Sequence, residues 1–490
     1  STLGAMASRF DVRKPAVPLP RAAVPPAGVA GLLRGDQAPP AAASWTRAGG
    51  LASSSALAVV PATGLALTLK AAVERRVGAT RRSRMQRGRR RRSVAMRSGS
   101  EQAVATKGQG YLNITGFPFP LGPLFARRTV RTQVDNDMWT LEQEQSLANI
   151  AVNNRMTVIR LKCGGLWIHN PVAPTEECLE LVRELGCPVK YIMLGSAQYE
   201  HKIFVGPFAR RFPDAKVYTV PQQWSFPIDL PSAFFGIFAA GELKDKDCDV
   251  PWASEIDQKI LCPKDRLGFG YSAAECAFFH RRTKTLICTD ALVYVPEQPP
   301  PVLDRKELIN LGRTNDNIVL DLVAATNWRG SGDAVRDAKK AEAEAAAPSD
   351  DQLLRRGWQR DALLALFFGP DGRSVLEPSQ AFGAVVGKWI VGPVCYSLVY
   401  SGKIRKDVRD WVNALCEWDF QQILPCHFAG PVRGSAADVQ RAFQVLEDEV
   451  DATEPAQGLP WPFPQPVRYR ADDIKLLTDL RGILQALKVI

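Results

Sequence analysis

Histidine is scarce in this chain, with four in 490 residues. Any imidazole chemistry must use His169, His201, His280 or His427. The ten cysteines, all between Cys163 and Cys426, include no C-x-x-C pair. That argues against a zinc ribbon, a thioredoxin-type redox pair and an iron–sulfur cluster. Isolated thiols in apolar runs, such as Cys288, suit burial in a reducing compartment. There is no G-x-S-x-G elbow and no P-loop, and Asp265–Tyr271 (DRLGFGY) falls short of G-x-G-x-x-G, so nucleotide binding has no support.

A basic surplus is also missing from most of the chain. The net charge is +11, yet residues 1–110 hold 19 Lys and Arg against four acids, Asp11, Asp36, Glu74 and Glu101. The remainder carries 43 basic and 47 acidic side chains. The high isoelectric point therefore belongs to the N-terminal part. The body offers no electrostatic footprint for nucleic acid, and none is expected as a partner. The Arg81–Arg92 run (RRSRMQRGRRRR) could serve as a nucleic-acid arm, but a basic, acid-poor, Ala- and Ser-rich N-terminus reads better as an organelle transit segment.

Residues 48–69 carry no charge over 22 positions, long enough in principle to span a bilayer. Pro61 and the many Ser, Gly and Thr residues leave this run weakly apolar. An uncharged run before an arginine cluster resembles the compound presequences of complex plastids. Arg91–Ser98 (RRSVAMRS) resembles a plastid processing site, with cleavage near Ala95 or Met96. The expectation is a plastid (chloroplast) protein, stromal or membrane-associated, with ample length left for a large core.

In the body, Met156–Val172 reads as two strands around a Gly-Gly turn. Thr175 caps a helix with an acidic first turn that stops at Gly186. The strand Val189–Leu194, a helical run to Pro213 and the strand Lys216–Pro221 follow. This succession predicts parallel pairing with crossover helices. Glu275–His280 and Thr285–Thr289, joined by a basic turn, predict a hairpin, so the sheet is mixed. Residues 330–351 are charged and Ala-rich and predict an exposed helical or disordered insertion. The apolar segment Ala381–Gly402 predicts buried core helices. At the C-terminus Ile474, Leu477, Leu480, Ile483, Leu484 and Leu487 form one face, which docks on the body or binds a partner.

Three polar stations end predicted strands: Glu200–His201, Asp290 and His427. Two imidazoles and two carboxylates at converging strand ends suit one divalent metal, whether zinc, iron or manganese, with a position left for water. Each station also has a plain structural reading. A Glu–His pair on a loop is often solvated, an Asp at a strand end is often a turn cap, and a lone His is often a packed polar residue. On that reading there is no cofactor at all.

The order of these stretches, with "GLWIHNPVAPT", "EHK", "FVGPFARRFPDA", "QWSFP" and "LPCHFAGP", resembles the metallo-β-lactamase superfamily. It is similar to a little-characterised plastid and cyanobacterial branch that is a domain of unknown function, over residues 134–328 and 356–450. The resemblance implies an α/β fold of αββα four-layer type with mixed sheets. It places that domain at 111–450 with an insertion at 330–355, after a disordered presequence and linker (1–110) and before a C-terminal extension (451–490).

The superfamily loop is H-x-H-x-D-H, followed by a further His, a bridging Asp and a final His. Laid on this chain, the first two His positions hold Ser196 and Gln198, the Asp position holds Glu200, and the fourth holds His201. Tyr271 falls at the His before the hairpin, Asp290 at the bridging Asp and His427 at the final His. One family metal site is thereby lost and the other keeps a competent donor at each position. The resemblance implies Glu200, His201, Asp290 and His427 as metal ligands, Glu200, Asp290 and Tyr271 as catalytic groups, and Ser196, Gln198 and Lys202 as substrate contacts. The opposing expectation is a non-catalytic member that binds or helps assemble a plastid complex. Its interface would be the helix at 472–490 or the apolar 231–241 loop with Trp167 and Trp224, peripheral to a thylakoid membrane or photosynthetic complex.

Overall fold

The computed structural model describes residues 104–111, 126–147, 150–223, 229–245, 249–266, 271–400, 402–446 and 469–486. The chain divides into units 1–65 and 66–490, and all described residues belong to the second. Residues 1–103, with the uncharged run 48–69, as well as Trp224 and the side chains of Leu484 and Leu487, lie outside them, whereas residues 104–110 of the expected disordered linker carry the short strands Val104–Ala105 and Gln109–Gly110.

Among the described residues seventeen strands run in chain order: β1 (Val104–Ala105), β2 (Gln109–Gly110), β3 (Ala126–Arg127), β4 (Thr129–Asp135), β5 (Met138–Leu147), β6 (Ile150–Arg160), β7 (Leu166–His169), β8 (Val189–Leu194), β9 (Lys216–Thr219), β10 (Ala239–Glu242), β11 (Ile256–Leu261), β12 (Glu275–His280), β13 (Thr285–Ile287), β14 (Val293–Tyr294), β15 (Trp389–Ile390), β16 (Gln422–Leu424) and β17 (Val432–Arg433). One sheet has the order β1-β4-β5-β6-β7-β8-β9-β10 and the other β11-β12-β13-β16-β17. β7 through β10 pair in parallel, as do β13 and β16, and the remaining pairs in these two sheets are antiparallel.

Strand alternation builds four layers. In the first sheet Ile159, Trp167 and Met193 face the second sheet, where they meet Phe278, Ile287 and Leu424. Their chain neighbours Val158, Ile168 and Ile192 face outward, onto Leu179 and Val182 of the helix Glu176–Arg183 and Phe208 of the helix Val205–Ala209. On the second sheet Phe279, Leu286 and Ile423 face outward to the helices Arg405–Leu415 and Ala436–Phe443. Both faces of the central strands of each sheet are therefore buried. This explains why "VKYIML" and "ECAFFH" read as continuous apolar runs. The αββα architecture with mixed sheets is present.

Local signals account for several boundaries. Thr175 caps its helix by accepting from the Cys178 N–H at 3.1 Å, and Gly186 (φ 70°) ends the following turn. The β12–β13 hairpin pairs His280 with Thr285 across the basic turn. The charged insertion is ordered: Gly332–Glu344 is a helix that buries only Gly332 and Val335, and Ser349 opens the helix Asp350–Phe367 with a capping box to Gln352. Ala381–Gly402 departs from the expected core helices. Helix Ser379–Val385 stops before Gly387 (φ 69°), Trp389–Ile390 pairs with β14, and Cys395–Val399 forms a π-helical turn after Pro393. Glycine and proline break the helical period there, although the segment stays apolar. Among the described residues no helix is long and apolar enough to cross a membrane. The C-terminal helix Ala471–Ala486 lies on the body, with Leu477 buried and Ile474 packed on the core around the second sheet.

The long helix Asp350–Phe367 meets the first sheet through Asp361, whose Oδ1 accepts from the Ala151 N–H at 2.8 Å. Burial, with Glu144 nearby, pushes this carboxyl well above the usual carboxylate range, even though the Ala151 N–H favours the anion. The folded state then holds a proton that the unfolded chain releases above about pH 4. Stability from this group is therefore full at low pH and is lost as pH rises towards the raised pKa. Asp361→Asn, which keeps the acceptor, is expected to flatten the decline of the urea midpoint above pH 4. An unchanged slope would contradict this.

Candidate metal centre

The parallel pairs bring the C-terminal ends of β7, β8, β13 and β16 together, where open α/β sheets place their sites. The two sheets are stitched there by backbone bonds, Cys276 N–H to Gly195 carbonyl at 2.8 Å and Arg155 N–H to Cys426 carbonyl at 2.9 Å. Glu200 and His201 lie on a single helical turn, Tyr199–Lys202, after β8. Asp290 follows β13 and His427 follows β16. One donor atom from each of Glu200, His201, Asp290 and His427 falls within 4.8 Å of the others.

Asp290 is the hub. Its Oδ1 lies 3.3 Å from His201 Nε2 and 3.2 Å from His427 Nε2. Ligand pairs in a tetrahedral zinc site with bonds of about 2.0–2.1 Å stand about 3.3–3.4 Å apart, so these separations match a common ion. His427 Nδ1 lies 2.8 Å from the Asn153 carbonyl, to which its N–H donates. That fixes the tautomer with its Nε2 lone pair toward Asp290, two acceptors face to face. A proton or a cation between them resolves the conflict. His201 is fully buried and its Nδ1 has no partner among the described residues. The two carboxylates sum to −2 in charge, which a divalent ion cancels. The donor set fits a single metal.

Without a metal, charge is distributed unevenly. Burial opposes ionisation of Asp290, but His201 and then His427 outweigh it and hold this carboxyl well below the usual carboxylate range. Burial and the Asp290 charge push Glu200 up, with His201 and His427 offsetting part of the rise. Burial alone would lower His427, yet the bond and charge of Asp290 raise it.

Ser196 is buried, with its Oγ 3.4 Å from Asp290 Oδ2 and accepting from the Gln198 N–H at 3.1 Å. Gln198 donates through Nε2 to the Tyr271 hydroxyl at 2.5 Å. The three residues at the lost positions thus form a neutral polar border to the cluster. Lys202 is not on the open side. It is fully buried, with its ammonium 5.8 Å from the Phe235 ring centroid and its pKa lowered by burial to about 8. Lys202 thus lies away from solvent, against Phe235. Trp167 is likewise buried between the sheets, so it is no part of a surface. Phe234 and Phe238 of the 231–241 segment are 55% and 77% exposed, while Phe235 and Ile237 between them are buried.

Sequence reasoning missed the residues that hold this cluster. Asn170, fully buried after β7, accepts from the Gly195 N–H at 2.9 Å and donates to Thr289 Oγ1 at 3.0 Å and Cys426 Sγ at 3.4 Å. Asn153 on β6 bonds both the N–H and the carbonyl of Phe428 (2.7 and 3.0 Å), and Arg155 donates to the carbonyls of Pro425 and Phe428 and to Glu142. His169 lies beneath, packed on Trp167 and Phe278 and driven by burial, then by His201, to a pKa of about 3. A Cβ on Gly195 would come within 2.2 Å of His169 Nε2, so only glycine fits there.

Fold and site together define a four-layer αββα protein with one imidazole–carboxylate cluster at its strand ends. Residues 135–386 and 376–445 match the model of the family described as Domain of unknown function (DUF4336), and the chain belongs to that family. No curated protein matches the sequence. Similar solved structures include a metallo-β-lactamase from Pontibacter korlensis, 12% identical, covering 37% of this chain and 83% of that one with a TM-score of 0.28. A second is the metal-soaked Flv1 flavodiiron core from Synechocystis, 11% identical over 66% of this chain, with a TM-score of 0.36. The alignment spans 62% of that protein's length.

Proposed function

We propose that the protein is a mononuclear metal-dependent hydrolase of metallo-β-lactamase type, with Glu200, His201, Asp290 and His427 holding one divalent ion of zinc, iron or manganese. The observation that carries this reading is the convergence of four donor atoms within 4.8 Å, with His427 oriented by the Asn153 carbonyl. An ion held there supplies an acidified water for attack at neutral pH. The protein's own part is to fix the donors and to border the reacting group. Glu200, whose carboxyl is pushed up by burial and the Asp290 charge, is the acceptor available for a proton, and the Gln198–Tyr271 pair borders the cluster where a substrate would be oriented.

A second reading is a non-catalytic member of the fold that binds or helps assemble a plastid complex. Exposed Phe234 and Phe238, held outward by buried Phe235 and Ile237, favour it. Both readings place the protein in a plastid on the composition of residues 1–110 alone. A fluorescent fusion of the full chain that stays outside plastids would remove that part.

Elemental analysis of the chain purified without chelator, beside a Glu200→Ala/His201→Ala double variant, tests the first reading. About one equivalent of zinc, iron or manganese, lost in the variant, is expected. No metal in either sample, with unchanged thermal stability, overturns it in favour of the second.

A further inference from the structure

Asp290 has no side-chain hydrogen bond to its own strand to fix it. Its position is set by the backbone of the turn after β13, whose N–H groups close on one side chain. Glu275, at the start of β12, is 3% exposed. Its Oε1 accepts from the Thr289 N–H at 2.7 Å and the Ala291 N–H at 3.4 Å, and its Oε2 accepts from the Asp290 N–H at 3.3 Å. Three successive backbone donors thus converge on one carboxylate. The same residue forms a bridge with Ser196 in the loop that leads to Glu200–His201. Glu275 therefore touches both halves of the candidate centre without contributing a donor to it.

We propose that Glu275 is the positioning residue of the centre, clamping the 289–291 turn so that the Asp290 carboxylate faces His201 and His427. The proposal rests on the metal-binding reading for its consequence but on backbone geometry for its content. A merely structural carboxylate in this place would affect stability alone. A positioning carboxylate must also alter what Asp290 does. Glutamine is the informative replacement. It keeps the size and the Oε1 acceptor, but its amide nitrogen meets the Asp290 N–H donor to donor, so the turn must shift at Asp290 itself. Removing a hydrogen-bonded group behind a metal ligand typically costs about 10–100-fold in affinity.

The test uses the full chain with Glu275→Gln and, as a control, Val335→Ala, a buried truncation in the helical module. Zinc affinity is read by competition with a chromogenic chelator. The expected result is a 10–100-fold weaker affinity for Glu275→Gln and wild-type affinity for Val335→Ala at a comparable loss of thermal stability. Equal affinities in the two variants overturn the proposal. The imidazole 15N shifts of His201 and His427 in metal-free protein give a second readout that survives failure of the metal reading. A change at both rings in Glu275→Gln supports the clamp, and unchanged shifts overturn it even if the wild-type chain takes up no zinc.

Discussion

Asp290→Asn is expected to abolish divalent-ion binding in a chain that still folds. Asp290 is the one group whose oxygen touches both imidazoles, at 3.2 and 3.3 Å. The substitution halves the negative charge of the donor set and replaces an anionic ligand with a neutral amide. Loss of a group behind a ligand costs about 10–100-fold, so loss of the central ligand should exceed ~100-fold, about 2.7 kcal/mol. The fold itself has less at stake, because Glu275 clamps the backbone N–H groups of the turn and not the Asp290 side chain. The check is a pair of thermal melts for each protein, one with excess zinc and one with chelator. Wild type should melt higher with zinc, since an ion present at about 100 times its dissociation constant adds about 2.7 kcal/mol. The variant should show no zinc-dependent shift. A retained shift would mean that the ion is held elsewhere.

What could be read from the sequence follows from where each interaction lies along the chain. The strands and the helix Glu176–Arg183 were legible because their signals are local: a cap at Thr175, a stop at Gly186, apolar runs buried on both faces. Glu200–His201, Asp290 and His427 stood out because a polar residue ending an apolar strand is conspicuous. By the same rule Asn170, directly after "LWIH", carried a signal that was passed over. Glu275 carried a weaker one, a carboxylate opening an otherwise apolar strand. Asn153 and Arg155 carried none, since their partners Phe428 and Pro425 lie 275 and 270 residues away. The segment Ala381–Gly402 misled because hydrophobic composition was read as helical although Gly387 and Pro393 break its period. The direction of Lys202 was not legible from adjacency: it is next to His201 in sequence, and the helical turn sends it toward Phe235.

Asn170→Ala should cost about 3–5 kcal/mol, a large part of the roughly 5–15 kcal/mol that keeps an ordinary protein folded. Three contributions point the same way. The Gly195 N–H loses its acceptor in a fully buried place, at about 1–3 kcal/mol. Thr289 Oγ1 and Cys426 Sγ lose a donor that joins the ends of β13 and β16 to β7. The backbone at Asn170 has φ 48°, a left-handed conformation that asparagine tolerates and alanine adopts at about 1 kcal/mol or more. Asn170→Gly separates these terms, since it removes the side chain and the backbone strain together. Glycine should recover about 1 kcal/mol relative to alanine in urea denaturation and no zinc affinity, because the clip between the sheets is still absent. If glycine restored both, backbone conformation alone would be the reason for Asn170. If alanine were as stable as wild type, the convergence of the four strand ends would not depend on this clip. The donor cluster would then have to be held by Glu275, Asn153 and Arg155 alone.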